Sequence, residues 1–231
     1  MVSRASPGDV IVRLPLLVVA IASAAAAAAL AAIVVMHPYL SLDATLQDDV
    51  QATSWGPLTL TFPFLTWLGG PGGLIMQAVV IVLVLLFNRR AWMPALACLA
   101  GGLSYLAVVN LVNRPRPTAT QILRVTDHPG STSFPSGHLI FITISVSVLM
   151  LCLGYRYLPR WAIPIGWALV AGIVLATGVD RIYGGAHWPT DVLGGFLIAA
   201  AWLCFVVSLR RISDRAIAPK RADQASAHPA S

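Results

Sequence analysis

The 231 residues are 58% hydrophobic and only 10% charged, with a mean hydropathy of +0.80. A water-soluble domain carries about 25% charged residues, so this composition excludes an ordinary soluble protein and favours one membrane domain. A formal net charge of +6 is compatible with a nucleic-acid partner. The basic residues, however, cluster at the ends of apolar runs, and we therefore expect no nucleic acid.

Apolar runs that are long enough to cross a bilayer recur along the chain. Crossing the hydrocarbon core takes about 20 apolar residues, and such a segment must be helical because lipid cannot satisfy exposed backbone groups. The second and fourth runs are short as bounded, so we expect each to take in flanking residues. We predict an all-α bundle of six transmembrane helices at residues 14–36, 74–87, 91–112, 139–153, 161–179 and 192–209.

The segments outside these spans are assigned from their composition. Residues 14–209 form the predicted membrane domain, between a short N-terminal segment (1–13) and a basic tail (210–231) that we expect to be disordered. The Ala-rich first span exceeds the 7–15 residues of a signal-peptide core, so we favour a retained helix over a cleaved signal. The three cysteines lie within apolar runs and are predicted to be packing residues: Cys98, Cys152 and Cys204.

The segment between the first two spans, residues 37–73, carries three aspartates and no basic residue. We interpret Asp43, Asp48 and Asp49 as part of an acidic outer loop. An apolar stretch at residues 55–68 is predicted to form an interfacial or re-entrant helix on the outer side, because a seventh span would break the charge pattern.

The distribution of arginine and lysine predicts the orientation of the helices. Eleven of the fifteen basic residues precede span one, separate spans two and three or four and five, or follow span six. Cytoplasmic loops carry an excess of such residues, so we expect both termini in the cytoplasm. The remaining four are expected on the extracytoplasmic side of the plasma membrane: Arg114, Arg116, Arg124 and Arg181.

Three polar clusters interrupt the apolar pattern, at residues 113–117, 133–138 and 180–191. The first and second clusters share one loop, and two predicted spans separate the second from the third. All three therefore emerge on the same outer face, where a helical bundle can bring them together. The sequence predicts a single site at that face.

The residue types in these clusters suit phosphoryl transfer. His187 and Asp191 are four residues apart, so on a helical start they share a face and Asp191 can accept a hydrogen bond from Nδ1–H, leaving Nε2 free to attack. Arg116 and Arg181 provide planar forks that match phosphate oxygens. The remaining candidates lie where span four begins: the backbone amides of Ser136 and Gly137 suit an anion, and His138 is placed to protonate a leaving oxygen.

In this order, Arg116 with Pro117, residues 135–138, and Arg181 with His187 and Asp191 resemble three signature motifs. They are those of the type-2 phosphatidic acid phosphatase and vanadium haloperoxidase superfamily. The resemblance covers roughly residues 40–209 and includes the six-helix layout of the membrane branch.

The resemblance implies a role for each matched residue. His187 resembles the nucleophile that forms a phosphohistidine, Asp191 the carboxylate that orients it, and His138 the general acid. The groups that resemble the phosphate cradle are Arg116, Arg181, Ser136 and the Gly137 amide. No metal or other cofactor is implied for the phosphatase branch.

Two positions depart from the family pattern. The first motif usually begins with a lysine where this chain has Val109, and a serine usually precedes the third-motif arginine where this chain has Asp180. The cradle thus has one cation fewer and a nearby anion. We expect Arg114 to compensate as a further phosphate ligand.

The expected function is therefore a membrane lipid phosphate phosphatase. Its substrate would be a phosphomonoester or pyrophosphate of a bilayer lipid, with polyprenyl pyrophosphate favoured over phosphatidic acid and phosphatidylglycerol phosphate. A vanadate-dependent oxidase is a weaker alternative, because its known relatives are soluble. A transporter or channel is also weaker, because such proteins place ionisable groups near the bilayer midplane, whereas the predicted spans contain almost none.

Overall fold

The structure, a computed structural model, describes residues 12–126 and 130–217. Most of the predicted N-terminal segment and the tail beyond residue 217 lie outside these residues. The tail does not begin as disordered chain, because its first eight residues form a helix, α11. The helices of the described residues are α1 Leu14–Met36, α2 Ser41–Ala52, α3 Phe62–Gly69, α4 Gly73–Phe87, α5 Trp92–Leu99, α6 Leu103–Val112, α7 Gly137–Leu149, α8 Tyr155–Tyr157, α9 Ile163–Tyr183, α10 Pro189–Ser208 and α11 Arg210–Ile217.

Five helical segments of the described residues are long and apolar enough to cross a membrane, which confirms the helical membrane fold. Helices α5 and α6 join through a 3₁₀ turn, and α7 runs into α8 through a π-helical turn, so each pair forms one span. The fourth predicted span is longer than the sequence indicated, as expected from its flanks. The five segments are Leu14–Met36, Arg89–Val112, Gly137–Tyr157, Arg160–Tyr183 and Pro189–Ser208.

The second predicted span corresponds to α4, which follows the preceding apolar helical segment after a sharp break. Gly56–Gly69 and Gly73–Phe87 are apolar enough to cross only when taken together, and their axes differ by 82°. Four glycines and Pro71 occupy residues 69–73, where proline lacks an amide donor and glycine permits a sharp change of direction. As a result, α3 turns back over one end of the bundle and forms a helix within the apolar stretch at residues 55–68, as predicted.

Helix α7 forms the centre of the bundle. Its span is 61% buried inside the protein, against 17–33% for the other four spans. It packs against α3, α4, α5, α9 and α10, with Ile140, Ile144 and Val148 in the main apolar core. Because α7 begins at Gly137, the second polar cluster lies at the N-terminal end of this central helix.

Helix α2 is docked on the end of the bundle at which α9 ends, and it is not a loop. The residues at positions 43, 47 and 51 share one helical face, and all three are buried. The Gln47 side-chain amide donates to the Ile182 carbonyl (2.5 Å), and that of Gln51 donates to the Tyr183 carbonyl (3.1 Å). The interpretation of Asp43 as an acidic loop residue is therefore wrong, because it faces the protein interior.

Candidate active site

The three polar clusters meet where α7 and α10 begin and α9 ends. Arg116 Nη1 lies 3.3 Å from His187 Nε2, and Arg181 Nη1 lies 3.4 Å from His138 Nε2. The first and second clusters are also joined through their backbones, since the Ser133 amide donates to the Arg114 carbonyl (2.8 Å). The two histidines and the two arginines thus line one site.

His187 is held in the short loop between α9 and α10. Its amide donates to the Arg181 carbonyl (3.3 Å), and its side chain is buried. Gly185 has a φ of 72°, and a Cβ there would lie 2.3 Å from the Arg124 carbonyl, so this turn requires glycine. The His187 Nδ1 atom is 2.7 Å from the Ser133 carbonyl. A carbonyl can only accept, so Nδ1 carries the proton and the Nε2 lone pair faces Arg116.

Asp191 is not the direct hydrogen-bond partner that the spacing indicated. Its Oδ2 atom is 3.8 Å from His187 Nδ1, which is too long for a hydrogen bond. The loop of the second cluster places the Ser133 carbonyl at that position instead. Asp191 caps the start of α10 by accepting from the Trp188 amide (2.8 Å), and its Oδ1 accepts from Arg114 (2.6 Å).

Arg114 is buried away from the phosphate cradle. All three of its guanidinium nitrogens donate to protein groups: Nε to the Pro38 carbonyl (2.9 Å), Nη2 to Asp43 (2.6 Å), and Nη1 to both Asp191 and the Thr190 hydroxyl (2.7 Å). Its side chain has no solvent exposure. This geometry assigns Arg114 to holding α2 and α10 together and not to compensating for the missing lysine.

Asp43 completes this buried ion pair and was missed as a site residue. It accepts hydrogen bonds from the Thr190 amide (2.9 Å) and hydroxyl (2.7 Å) as well as from Arg114. One signal in the sequence could have found it. Polar residues at positions 43, 47 and 51 recur at helical spacing, and Arg114 beside a phosphate motif needs a counterion.

His138 and Arg181 are linked by Thr66, which the sequence analysis also missed. The Thr66 carbonyl lies 3.0 Å from His138 Nε2, and the Thr66 hydroxyl accepts from Arg181 Nη2. Helix α3 comes so close to His138 that a Cβ at Gly69 would lie 2.5 Å from the imidazole ring. The break between α3 and α4 therefore brings Thr66 into the site.

Ser136 and Gly137 differ from the expected pair of anion-binding amides. The Ser136 amide donates to the Asp191 carbonyl (3.0 Å), so it holds α10 in place. The Ser136 hydroxyl is buried without a hydrogen-bond partner among the described residues. Gly137 lies in the first turn of α7, where amides lack intrahelical partners. The hydroxyl of Ser136 and the amide of Gly137 are the candidate donors.

The electrostatics of the site keep His187 neutral. Burial lowers the pKa of His187 below its ordinary value of 6.5, and the charges of Arg116 and Arg181 lower it further. The nearby Asp191 carboxylate opposes this shift only in part, so the net direction is downward. At neutral pH the imidazole therefore retains the lone pair that a nucleophile needs.

Comparison with known proteins identifies the family. The model of the PAP2 superfamily matches residues 90–214, which is more than half of the chain and contains every predicted site residue. The chain belongs to the PAP2 superfamily. Among its curated relatives, phosphatidylglycerophosphatase B of Bacillus subtilis is 31% identical over 137 residues. The undecaprenyl-diphosphatase BcrC of the same organism is 30% identical over 132 residues.

These alignments cover 57% and 54% of this PAP2 protein, and 65% and 63% of the respective relatives. The chain thus spans just under two thirds of the length of these relatives. Two solved structures share the fold at 22% identity. A PAP2-type phosphatidylglycerolphosphate phosphatase from Bacillus subtilis has a TM-score of 0.62 over 81% of this chain and 93% of its own. Aquifex aeolicus LpxE has a TM-score of 0.57 over 75% and 98%.

The buried ion pair predicts a specific effect of Asp43→Asn. Removing one carboxylate leaves the Arg114 charge undercompensated in the interior and loosens the start of α10, which follows His187 directly. We expect a lower unfolding temperature and a rate of phosphate release per folded molecule reduced by about tenfold or more. Thermal unfolding in detergent and a phosphate-release assay measure the two effects. Asp48→Asn, at an exposed position of the same helix, should change neither. Wild-type behaviour of Asp43→Asn would contradict the assigned role.

Proposed function

We propose that this PAP2 protein is a metal-independent lipid phosphate phosphatase that acts through a phosphohistidine at His187. The observation that carries the proposal is the setting of the His187 ring. Its Nδ1–H is fixed on the Ser133 carbonyl, and its Nε2 lies beside Arg116, a side chain suited to phosphate. The lowered pKa of His187 supports the same role, because it favours the unprotonated Nε2.

In the first step, Nε2 of His187 attacks the phosphorus atom as the bond to the leaving oxygen breaks. Arg116, Arg181 and the Ser136 hydroxyl hold the phosphoryl oxygens, whose charge must be offset as the bond changes. The Ser133 carbonyl and the Asp191 carboxylate stabilise the positive charge that develops on the imidazole. His138 transfers its proton to the leaving lipid oxygen.

In the second step, water attacks the phosphorus atom and the N–P bond breaks. His138, now unprotonated, accepts a proton from this water, so that its protonation state is restored. The bonding electrons return to Nε2 of His187, and inorganic phosphate leaves. The same pair of histidines therefore serves both steps, with no covalent change at any other residue.

The carboxylates at the site support a reaction without a metal ion. Asp43 and Asp191 pair with Arg114, and Asp180 pairs with Arg181. Magnesium sites generally use carboxylate oxygens together with substrate phosphate. Here the carboxylates that could bind magnesium are paired with arginine instead.

Purified protein should release inorganic phosphate from lipid phosphates, and the activity should persist in excess EDTA. His187→Ala should reduce the rate by several orders of magnitude, because the nucleophile is lost, while the protein remains folded. A colorimetric phosphate assay in detergent micelles measures both results. Activity that disappears with chelation and returns only with added magnesium would contradict the mechanism.

An apolar groove supports a long-chain lipid as the substrate. The groove, of about 860 Å³, is lined by α7, α9 and α10. Ile182 and Pro189 line one end beside the site, and Arg13 and Val207 line the other. Pro189 and Val207 are 18 residues apart on α10, or about 27 Å at about 1.5 Å per residue. This length approaches the hydrocarbon thickness of about 30 Å.

The length of the groove favours a polyprenyl pyrophosphate. An acyl chain anchored at the outer surface reaches only about the middle of the bilayer, which is half of the thickness of about 30 Å. A polyprenyl chain can follow the whole groove. The undecaprenyl-diphosphatase among the relatives agrees with this substrate class.

A chain-length series tests the groove. Ala171 lines it on α9, whereas Ala168 is exposed on the same helix outside it. Ala171→Phe should lower kcat/KM for undecaprenyl pyrophosphate by about tenfold, since an added ring obstructs a long chain, and leave geranyl pyrophosphate unaffected. Ala168→Phe is the matched control and should affect neither substrate. Equal losses on both chain lengths would count against the groove.

The proposed site opens on the extracytoplasmic side, with both termini in the cytoplasm. Arg89, Arg160 and Arg211 lie at the end of the bundle opposite to His187, and the preference of basic residues for the cytoplasmic side supports this orientation. Ala119 is exposed in the loop that joins the first two polar clusters. In a cysteine-free background, Ala119→Cys should react with an impermeant thiol reagent in intact cells. Arg160→Cys should react only after permeabilisation, and the reverse pattern would invert the orientation.

A further inference from the structure

Asp180 is the feature of the site that the proposed mechanism leaves without a role. It occupies the position where the family pattern has serine, directly before Arg181 in the last turn of α9. Asp180 is only 3% exposed. A buried carboxylate beside a phosphate-binding arginine acts against the binding of an anion.

The contacts of Asp180 place its charge on one edge of the Arg181 guanidinium. Its Oδ2 atom accepts from Arg181 Nε (3.1 Å) and Nη2 (2.8 Å), and both of its oxygens lie 3.2–3.3 Å from the Thr66 hydroxyl. The third nitrogen of the guanidinium, Nη1, lies 3.4 Å from His138 Nε2. Asp180 thus fixes the orientation of Arg181 and also offsets its charge.

The formal charges of the site sum to zero when both histidines are neutral. Among the described residues, the three arginines that contact the two histidines or Asp191 are equal in number to the aspartates that pair with Arg114 and Arg181. The arginines are Arg114, Arg116 and Arg181, and the aspartates are Asp43, Asp180 and Asp191. With serine at position 180 the same site would carry one net positive charge. While both histidines are neutral, an anion is therefore held here by directed hydrogen bonds without a net attractive charge. A proton on His138 adds one positive charge whether position 180 holds aspartate or serine.

We propose that Asp180 is a specificity-determining residue that weakens the affinity of the site for free inorganic phosphate. The inference rests on the proposed function, because phosphate is the product of the second step. Charges a few ångströms apart in a poorly solvated site interact strongly, so one added carboxylate favours the departure of a phosphate anion. The lipid tail would lie in the apolar groove, whose lining does not include Asp180, so the tail contributes to substrate binding as before.

The two effects of Asp180 predict opposite results when its charge is removed. If Asp180 chiefly offsets charge, Asp180→Asn binds phosphate more tightly, because the amide oxygen can still accept from Arg181. If Asp180 chiefly orients Arg181, the same change weakens phosphate binding. The sign of the change therefore separates a specificity role from a structural one.

The experiment is a titration of purified protein with inorganic phosphate, followed by thermal unfolding in detergent. We expect Asp180→Asn and Asp180→Ser to lower the half-saturating phosphate concentration by about tenfold. Asp48→Asn, which removes an exposed charge on the same side, should leave it unchanged. The inhibition constant of phosphate in the lipid phosphate assay should fall in parallel. An unchanged or raised half-saturating concentration in the Asp180 variants would overturn the proposal.

Two features keep this test independent of other failures. Thermal unfolding measures phosphate binding without turnover. If the wild-type protein hydrolysed no lipid phosphate, the proposed function would be contradicted, but the effect of Asp180 on phosphate binding could still be measured. The wild-type protein should itself bind inorganic phosphate no more tightly than the millimolar range. Micromolar binding by wild type would overturn the proposal even if neither variant folded.

Discussion

The buried guanidinium of Arg114 between Asp43 and Asp191 is the interaction on which the geometry of the site depends. Removing three charges from water is costly, and ion pairs offset that cost only when their geometry satisfies the remaining donors. Here all three guanidinium nitrogens have acceptors, and Asp43 also accepts from the amide and hydroxyl of Thr190. The ion pair fixes α2 and the start of α10, which is the helix that follows His187.

The arginines of this site divide into one that pairs with two carboxylates and two that lie beside the histidines, although all three look alike in sequence. Arg114 donates to the carboxylates of Asp43 and Asp191. Arg116 and Arg181 each lie within 3.4 Å of a histidine. The Ser133 carbonyl sets the tautomer of His187, and Thr66 on α3 contacts His138. In the proposed reaction, fixed dipoles and buried ion pairs thus orient the two histidines before any substrate binds.

The sequence predicted the membrane spans well, because long apolar runs have few alternatives in lipid. It also predicted that three distant clusters share one face, since that follows from counting crossings. It did not predict which partners those residues take. The spacing of His187 and Asp191 gives a common helical face, but the Ser133 carbonyl, 54 residues away in sequence, takes the place at Nδ1. Asp43 and Thr66 were missed for the same reason, because their roles depend on long-range contacts.

The central claim is that His187 carries the phosphoryl group during turnover. Its most direct test is to mix the protein with a lipid substrate labelled on the transferred phosphorus, quench the reaction rapidly, and map the labelled peptides. The account predicts acid-labile, base-stable label on the peptide that contains His187, and none on the His187→Ala variant. Label of equal intensity on that variant, or acid-stable label on a serine such as Ser136, would contradict it.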